Sequence, residues 1–363
     1  ESLLALREYA PGSRILVGGR VVHSRGILRH WSGGDGPEEA GLSARVGECR
    51  RGHRFTWLVG DEHPCTVCGA PLAAAARWAF FPQHGFTTAA WDPPHFGYRA
   101  RAVGDVSVFS PDVVLGVGEA AEAAEAAAGC LVRHDVAGVA GLRAEYREEG
   151  TILVLNEGNA SRGFAICHKC GYADSERHVG DGRVELPPRF ADHPPVDSFV
   201  RTPCWERDEA PVWRNRVLAA RDTTDLLFFD PRETSLAADA VPAPEKRAAV
   251  AQTIAAALEQ AGAELLEVDP RELGSLTLAE ARGPCDPIVL YDNVPGGVGH
   301  VRVLLECARE WLERARARLR GDDEHHERCD SACLDCILRF DSPQEGLRRR
   351  DAFRVLDAWL GGR

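Results

Sequence analysis

The chain has 363 residues, 44% of them hydrophobic, and a net charge of −12 from 43 Lys and Arg against 55 Asp and Glu. This composition predicts a folded core without disulfide staples and excludes wholesale disorder. The acidic balance excludes a protein that coats nucleic acid or an anionic membrane with its whole surface, so any such contact must be local. The sequence contains neither a secretory signal nor an apolar run of the roughly 18 residues that a membrane helix needs, which predicts a cytoplasmic protein.

Missing sequence motifs count against two kinds of enzyme. The only lysines are Lys169 and Lys246, and neither follows a glycine in a GxxxxGK[ST] loop, so this segment has no P-loop ATPase site. The absence of a Gly-x-Ser-x-Gly turn weakens a hydrolase interpretation. The chain begins at Glu1 and contains no methionine. We therefore expect it to be a segment of a longer polypeptide.

The cysteine pattern is the strongest signal in the sequence. Disulfide frameworks belong to short exported chains, so the 12 cysteines of this long chain favour metal binding. Most of them fall into three groups that contain the C-x2-C or C-x3-C spacing with which two thiolates bind one tetrahedral ion. The sequence therefore predicts up to three structural zinc ions, one in each of three consecutive regions.

The first region, residues 1–120, is predicted to be rich in β-structure. Alternating residues from Arg14 to Ser24 surround Gly18-Gly19, which predicts a β-hairpin. Further on, two short cysteine-bearing turns flank a second predicted hairpin, as in a zinc ribbon. His63 is an alternative to His53 as a ligand, and inert buried thiols are the alternative to a metal site. The expected ligands are Cys49, His53, Cys65 and Cys68.

The second region, residues 121–222, is predicted to connect the other two. A strand from Thr151 to Leu155 leads towards Cys167-His-Lys-Cys170, and Cys204 follows much later. Three thiolates leave one coordination position open. We favour His193 for it, because the prolines after it extend the backbone towards Cys204, and His178 is the alternative. Cys204 as an ordinary core residue also stays open.

The third region, residues 223–363, alternates strands with helices and is predicted to be an α/β domain. Its predicted strands are 225–229, 264–268 and 287–291, and its predicted helices include 244–261 and 301–319. In the last helix, Phe353, Leu356, Trp359 and Leu360 form a stripe that faces the core. The predicted fold class is thus mixed α/β, with a small β and zinc-ribbon region before an α/β domain that ends in a cysteine-rich knuckle.

A glycine-rich turn, Tyr291-Asp-Asn-Val-Pro-Gly-Gly-Val-Gly-His300, links the last predicted strand to a helix. Backbone N–H groups at such a turn can hold a phosphate of DNA or of a nucleotide. The candidate phosphate-binding residues are Gly296, Gly297, Gly299 and His300. The alternative is that the glycines only permit a tight turn. An acid and base pair of Asp292 and His300 is a further interpretation, although such pairs are more often structural.

The third cysteine group follows the helix 301–319. His326, Cys329, Cys333 and Cys336 could complete one tetrahedron locally. His325, Cys307 and Cys285 are rivals for the fourth position. Nothing in these compact knuckles indicates the open coordination position of a catalytic zinc, so we expect structural ions throughout.

The C-terminal arginines invite a nucleic-acid interpretation. They include Arg314, Arg316, Arg318 and Arg320, followed by Arg348 to Arg350. Acidic residues in the same segment balance their charge, so the arginines can equally pair along solvated helix faces. Only their arrangement in space could make a basic patch.

Several of these motifs together resemble a known family. The segments PIVLYDNVPGGVGH and CDSACLDCILRFDSPQEGLRRRDAFRVL resemble the MrfA-type zinc-binding domain (MZB) at the C-terminal end of large DEAD/DEAH-box helicases, also found in the DISARM protein DrmB. The upstream segments EYAPGSRILVGGRVVHSRGI, GFAICHKCGYA and TTDLLFF, with the Cys49 to Cys68 ribbon, resemble the connecting region of the longer members. Family members often carry a further cysteine where this sequence has Glu327, which leaves the fourth ligand of the third site open.

The resemblance implies a zinc-binding accessory module of a DNA helicase or translocase in DNA repair or phage defence, without catalysis of its own. Its motor would lie in the same longer chain or in a partner subunit, and its contact with DNA would be local. The alternative is a protein-interaction platform of a defence complex that does not touch DNA. A small hydrolase that uses Asp292 and His300 is a third possibility.

Overall fold

A computed structural model provides the coordinates of the protein. The residues that it describes are 2–28, 41–51, 54–57, 62–65, 69–97, 101–102, 104, 106–109, 131–136, 138–178, 184–190, 192–199, 202–205, 212–231, 234, 236, 240–278, 285–294, 296–338 and 346–361. Strands and helices both contribute to the core, which confirms the mixed α/β class.

The strands fall mainly in the first two thirds of the chain. They are β1 (Arg14–Val17), β2 (Arg20–His23), β3 (Gly26–Ile27), β4 (Gly41–Glu48), β5 (Arg54–Trp57), β6 (Arg77–Pro82), β7 (Phe86–Thr87), β8 (His95–Phe96), β9 (Val106–Phe109), β10 (Leu131–Asp135), β11 (Arg143–Asn156), β12 (Phe164–Cys167), β13 (Ala173–Ser175), β14 (Arg177–His178), β15 (Val184–Glu185), β16 (Val212–Asp230), β17 (Leu273–Thr277) and β18 (Ile288–Asp292). The helices are α1 (Ser2–Glu8), α2 (Arg247–Leu266), α3 (His300–Glu306), α4 (Ala308–Arg320), α5 (Asp323–Arg328) and α6 (Arg349–Trp359).

The largest sheet is built around two long antiparallel strands, β11 and β16, which pair from Arg143 opposite Asp230 to Asn156 opposite Leu218. Strands β9 and β10 extend β11, while β6, β12 and β18 pair with β16, and only β6 does so in parallel. The sheet takes strands from all three predicted regions, and β16 runs through the predicted boundary at 222/223. The three regions therefore share a sheet, and their limits as domains stay a prediction.

The second half of β16 is buried on both faces. Leu227 and Phe229 point into the core formed with α2, α4 and α6, whereas Leu226 and Phe228 point into a second core on the opposite face. This alternation follows from the two-residue repeat of a strand. A continuous apolar run, DLLFF, is therefore what a strand covered on both sides requires.

The helices of the third region form one layer on this sheet. Trp311 of α4 is completely buried, and its indole Nε1 donates to the carbonyl of Leu258 in α2 at 2.8 Å. Leu356, Trp359 and Leu360 of the last helix belong to the same core, which confirms the predicted stripe. Of the residues that are described, no helix combines the length and apolarity needed to cross a bilayer.

Two predicted elements of the third region are wrong. The stretch 264–268, predicted as a strand, is the end of α2, which stops where Glu267 adopts a left-handed φ of 56°. The strand forms later, at β17, after a short turn that Asp269 caps through the backbone N–H of Arg271. The helix predicted over 301–319 is divided at Cys307 into α3 and α4.

The predicted N-terminal hairpin is confirmed. Strands β1 and β2 pair from Arg14 opposite His23 to Val17 opposite Arg20, and Gly18 and Gly19 form the turn with φ of 55° and 74°. The preceding helix α1 was not predicted. Its Leu6 is buried in the second core, and Asn156 donates to the carbonyl of that leucine at 3.0 Å.

Candidate metal centres

Four metal-ligand side chains of the second region lie together beside the end of β12. We call them the sheet cluster, and they are Cys167, Cys170, His193 and Cys204. Their ligand atoms all lie within 4.8 Å of one another. The Sγ atoms of Cys167 and Cys204 are 4.0 Å apart, and Cys170 Sγ is 3.4 Å from His193 Nε2.

The turn between the first two cysteines is fixed by its backbone. The N–H of Gly171 donates to the carbonyl of Cys167 at 2.8 Å, and the N–H of Cys167 donates to Tyr172 at 2.8 Å. Gly171 has a φ of 81°, which a residue with a side chain rarely adopts. Cys204 is brought back to this turn by its N–H, which donates to the carbonyl of His193 at 2.9 Å.

His193 is presented to the thiols in one tautomer. Its Nδ1 lies 2.6 Å from the carbonyl of Phe190, which can only accept a hydrogen bond, so Nδ1 carries the proton. The lone pair of Nε2 is then directed at Cys170 and is available to a metal ion. The ring stacks on Tyr172, with centroids 4.4 Å apart, and touches Phe190 and Trp205 edge-on. The structure therefore brings His193 to the thiols, while the alternative, His178, belongs to β14.

The thiols of the sheet cluster perturb one another. Hydrogen bonds from Cys170 and Cys204 lower the pKa of Cys167. The reciprocal hydrogen bonds with Cys167 and Cys204, together with burial, raise the pKa of Cys170, and the bond with Cys167 raises that of Cys204 to about 11. One thiolate is thus favoured, and further ionisation in this small space requires a cation.

A second group of ligands lies on and after α5. We call it the helix cluster, and it comprises His325, Cys329, Cys333 and Cys336, again with all ligand atoms within 4.8 Å. His325 Nε2 is 3.2 Å from Cys333 Sγ, which is 3.8 Å from Cys336 Sγ. Asp322 caps the helix by accepting from the N–H of His325 at 2.7 Å.

The histidine of the helix cluster is His325 and not the predicted His326. Adjacent residues on a helix project about 100° apart, so only one of the two rings can face the thiols. The ring of His326 lies against Phe353 instead, with centroids 5.4 Å apart. The other rivals lie outside the cluster, since Cys307 donates to the carbonyl of Val303 at 3.4 Å and Cys285 donates to that of Asp286 at 3.5 Å.

Both clusters fit zinc. With Zn–S near 2.3 Å and Zn–N near 2.0 Å, a tetrahedral ion separates its ligand atoms by about 3.4–3.8 Å. Four of the observed separations lie between 3.2 and 4.0 Å, and all of them are within 4.8 Å. Sets of three cysteines and one histidine leave no open position, as expected for structural ions.

A buried arginine holds the helix cluster in place. The Arg349 side chain is completely buried and donates to four backbone carbonyls, which belong to the end of α4 and to α5 and its C-cap. Its partners are Leu319, Arg320 at 3.1 Å, His326 at 3.1 Å and Cys329 at 2.7 Å. The guanidinium thus satisfies carbonyls at the ends of two helices, where unpaired groups would be costly.

Most of the other C-terminal arginines are paired within the chain. Their partners are acids on the helices or just after them, as in Arg314 with Glu310, Arg316 with Asp357, Arg318 with Glu264, Arg320 with Asp323 and Arg350 with Asp330. Their charges are therefore largely neutralised by neighbours. This arrangement favours solvated ion pairs over a basic patch for nucleic acid.

The predicted zinc ribbon is described only in part, since His53 and Cys68 lie outside the described residues. Cys49 and Cys65 are buried. The turn at Cys65 repeats that at Cys167, because Gly69 donates to the carbonyl of Cys65 at 2.9 Å and Cys65 donates to Ala70 at 2.9 Å. The ring of His63 lies 4.7 Å from Trp57, in an aromatic cluster.

The glycine-rich turn is built around an internal carboxylate. Asp292 accepts from the N–H groups of Val298 at 2.8 Å, His300 at 3.0 Å and Val301 at 2.9 Å. The N–H groups of Gly296 and Gly297 donate to the carbonyls of Thr223 and Val294.

The phosphate interpretation of Gly296, Gly297, Gly299 and His300 depended on free N–H groups, and the geometry gives those of 296–298, 300 and 301 internal partners. A fixed negative charge also lies where the anion would bind. The close fit explains one glycine, since a Cβ at Gly297 would come within 3.0 Å of Asp225. The arrangement therefore favours the alternative, a structural turn, and also leaves Asp292 without the freedom of a catalytic base.

Residues 254–337 match the family model MZB, the MrfA Zn-binding domain. All four ligands of the helix cluster lie in this range, and the predicted resemblance is confirmed for it. Among solved structures, the chain is similar to a crystal structure of the DUF1998 helicase MrfA bound to DNA, with 14% identity over 63% of this chain and 25% of that chain and a TM-score of 0.33.

A second structure, of the same helicase bound to DNA and AMPPNP, has 14% identity over 39% of this chain and 24% of that chain, with a TM-score of 0.23. Neither score is high enough to argue a shared fold. The chain spans about a quarter of the length of these structures. No curated protein matches the chain.

Proposed function

We propose that this chain is a non-catalytic, zinc-binding accessory segment of a DEAD/DEAH-box DNA helicase or translocase. The observation that carries the proposal is the match of residues 254–337 to the MrfA Zn-binding domain, with the four ligands of the helix cluster inside it. The motor lies in the same longer chain or in a partner subunit. The segment positions DNA or docks partner subunits, in DNA repair or phage defence, and acts in the cytoplasm.

In this proposal the zinc ions are structural and stabilise the fold. Each would cross-link chain segments outside the long strands and helices, and metal binding supplies folding free energy there. We also propose a third ion at Cys49, His53, Cys65 and Cys68. Its support is the turn at Cys65, whose two backbone hydrogen bonds repeat those of the sheet cluster.

Metal analysis tests the architecture. Native mass spectrometry of the purified chain should find three zinc ions, one for each group. Two ions would remove the ribbon site and leave the clusters. A chain that binds no metal, or that hydrolyses ATP unaided, would contradict the proposal.

The salt dependence of DNA binding tests the role. A segment that contacts phosphates releases counterions, so its affinity should fall with a slope of about 0.9 per phosphate in a plot of log K against log salt. Fluorescence anisotropy with single- and double-stranded oligonucleotides measures this slope. A slope near zero with intact zinc content would favour the alternative, a protein-interaction platform that does not touch DNA.

A further inference from the structure

We propose that an arginine-lined pocket beside the sheet cluster binds a phosphate group. The pocket lies between the hairpin β1–β2 and the segment that runs from β13 to the turn after β15, and its volume is about 460 Å³. The side chains that matter are Arg14, His23, Arg25, Asp174, Arg177 and Arg189. The proposal goes beyond the helicase assignment and needs no motor to be true.

One wall of the pocket is rigid. Arg25 is almost fully buried, and its guanidinium contacts the Asp92 carboxylate at 2.6 Å and His23 Nδ1 at 2.8 Å. His23 Nδ1 also lies 2.9 Å from Asp92. The backbone on both sides of this arginine is fixed, since Arg25 donates to Thr87 at 2.8 Å and accepts from Ala173 at 3.0 Å. A ligand would therefore meet a preorganised donor.

Among the described residues, the other arginines of the pocket have one acid close to them, Asp174, on which the charges of Arg177 and Arg189 act. The side chains of Arg14, Arg177 and Arg189 are exposed, and within the described part of the chain none of them forms an ion pair. Glu185 is the strand partner of Arg177 in the β14–β15 ladder, but their side chains do not form an ion pair. This is the reverse of the C-terminal helices, where arginines are matched by acids.

The acids nearest to the pocket do not cancel its charge. Asp92 is shared between Arg25 and His23. Glu176 is buried and accepts two hydrogen bonds from Arg214, at 2.8 and 3.0 Å. Asp174 alone lines the cavity, and four arginines line it with this one carboxylate. In a chain of net charge −12, the pocket is a local concentration of positive charge.

The shape and the donors favour phosphate over a smaller anion. A volume of 460 Å³ exceeds what a halide or a single carboxylate fills and matches a phosphate with part of an attached group. Guanidinium groups bind phosphate oxygens in pairs, and several of them can contact one phosphate from different sides. The phosphate has two chemically similar sources, a phosphodiester of a nucleic-acid strand or the phosphate of a free small molecule.

Binding measurements on the zinc-loaded chain test the proposal with three probes. These are inorganic phosphate, pyrophosphate and a short single-stranded oligothymidylate without a terminal phosphate. The test variant is Arg177→Gln/Arg189→Gln, which changes exposed side chains that form no ion pair within the described residues and so preserves the fold. We expect it to weaken binding by about tenfold or more, since it removes two charge-assisted donors. The matched control is Arg314→Gln/Arg354→Gln, which removes the same charge from exposed positions on α4 and α6.

The pattern across probes identifies the source of the phosphate. Loss of oligonucleotide binding alone would assign the pocket to a strand backbone, and loss of phosphate or pyrophosphate binding would assign it to a free ligand. In either case the control should bind within about twofold of the wild-type chain. If the test variant binds every probe as the wild type does, or no probe binds the wild type, the pocket is not a phosphate site. Neither result affects the zinc count, so the proposed function is judged separately.

Discussion

The two metal clusters have the same ligand set and opposite surroundings. The sheet cluster is enclosed by aromatic rings, and its ligands Cys167 and Cys204 are 37 residues apart. The helix cluster is more exposed, its ligands span a third of that length, and a buried arginine fixes it through carbonyl groups. Closing a loop three times as long costs about 1 kcal/mol more in chain entropy. We infer that zinc binding contributes more to the free energy of unfolding at the sheet cluster than at the helix cluster.

The same two regions treat arginine differently. On the C-terminal helices the guanidinium groups form ion pairs with acids or hydrogen bonds with carbonyls of the chain, so these arginines stabilise the fold. Beside the sheet cluster three of them line a cavity in which Asp174 is the one acid among the described residues, and none of the three forms an ion pair there. Arginine content alone therefore does not locate a binding surface, whereas unmatched arginine does.

Loss of the sheet-cluster ion should have the largest effect on stability. For Cys167→Ser/Cys170→Ser we expect one zinc ion fewer and a loss of about 4 kcal/mol or more in the free energy of unfolding, because the long loop loses its only cross-link in the described residues. Urea titration and metal analysis measure both quantities. Hydrogen exchange should show the loss of protection concentrated in 187–205.

A cysteine outside both clusters provides the control. The thiol of Cys307 donates to carbonyls of the preceding helix α3, so Cys307→Ser should keep the zinc content and cost less than about 1 kcal/mol. A helix-cluster double variant, Cys333→Ser/Cys336→Ser, should cost less than the sheet-cluster pair. The opposite order would reverse the inference drawn from loop length.

The next largest effect is expected for Arg349→Met, which should lower the free energy of unfolding by about 3 kcal/mol. The substitution keeps the apolar stem but leaves four buried carbonyl contacts without a donor. We expect the helix cluster to bind zinc more weakly while the sheet cluster is unchanged, which a competition titration with a chromogenic chelator resolves. The neighbouring Arg348→Met, at an exposed side chain, should change neither quantity. Equal effects of the two variants would show that the carbonyl contacts contribute nothing.

Substitution of the two adjacent histidines of α5 should have different effects on the zinc content of the chain. His325→Ala removes a ligand and should lower the zinc content by up to one per chain, at a cost of about 2 kcal/mol. His326→Ala removes only the contact with Phe353 and should cost about 1 kcal/mol with full zinc content. Metal analysis of the two single variants decides between them. Zinc loss from His326→Ala instead would restore the ligand that the sequence predicted.

Local sequence patterns predicted much of this fold. Alternation around Gly18-Gly19 predicted the hairpin, the apolar run 225–229 predicted the buried second half of β16, and cysteine spacing predicted which thiols of the two described clusters meet. These signals extend over few residues, and so does the physics behind them. The candidate ligand His193 could be predicted for the same reason, because Pro194 and Pro195 constrain its backbone.

Three features of the sites could not be predicted from the sequence. The choice between His325 and His326 depends on which face of a six-residue helix meets the thiols, and spacing to the next cysteine does not fix that rotation. The sequence left the glycine-rich turn open between a phosphate site and a structural turn, because Asp292, which accepts from its N–H groups, precedes it and looks like a functional acid. The pocket arginines were missed because Arg14, Arg25, Arg177 and Arg189 come from segments distant in sequence, and only the folded chain brings them together.

The smallest predicted effect concerns two acids beside the sheet cluster, and its sign differs between them. Burial alone would raise the pKa of Asp92, but hydrogen bonds from His23 and Arg25 and their charges lower it below its ordinary value. Burial raises the pKa of Asp174 against a backbone hydrogen bond and the charges of three arginines. Asp92 therefore stabilises the fold when ionised, and ionised Asp174 costs stability.

At pH 7, Asp92→Asn should lower the free energy of unfolding and Asp174→Asn should raise it, each by less than about 1 kcal/mol because both acids are partly solvated. A depressed pKa keeps the Asp92 contribution present above the unfolded value near 3.9, so it should persist from pH 8 to pH 5. The raised pKa of Asp174 means that the gain from Asp174→Asn shrinks first as the pH falls through that window. Urea midpoints across this range, where the thiolates still hold zinc, measure both differences. A loss of stability in both variants would show that the pocket arginines stabilise Asp174 more than burial destabilises it, and the unmatched charge inferred for the pocket would then be smaller than its residues suggest.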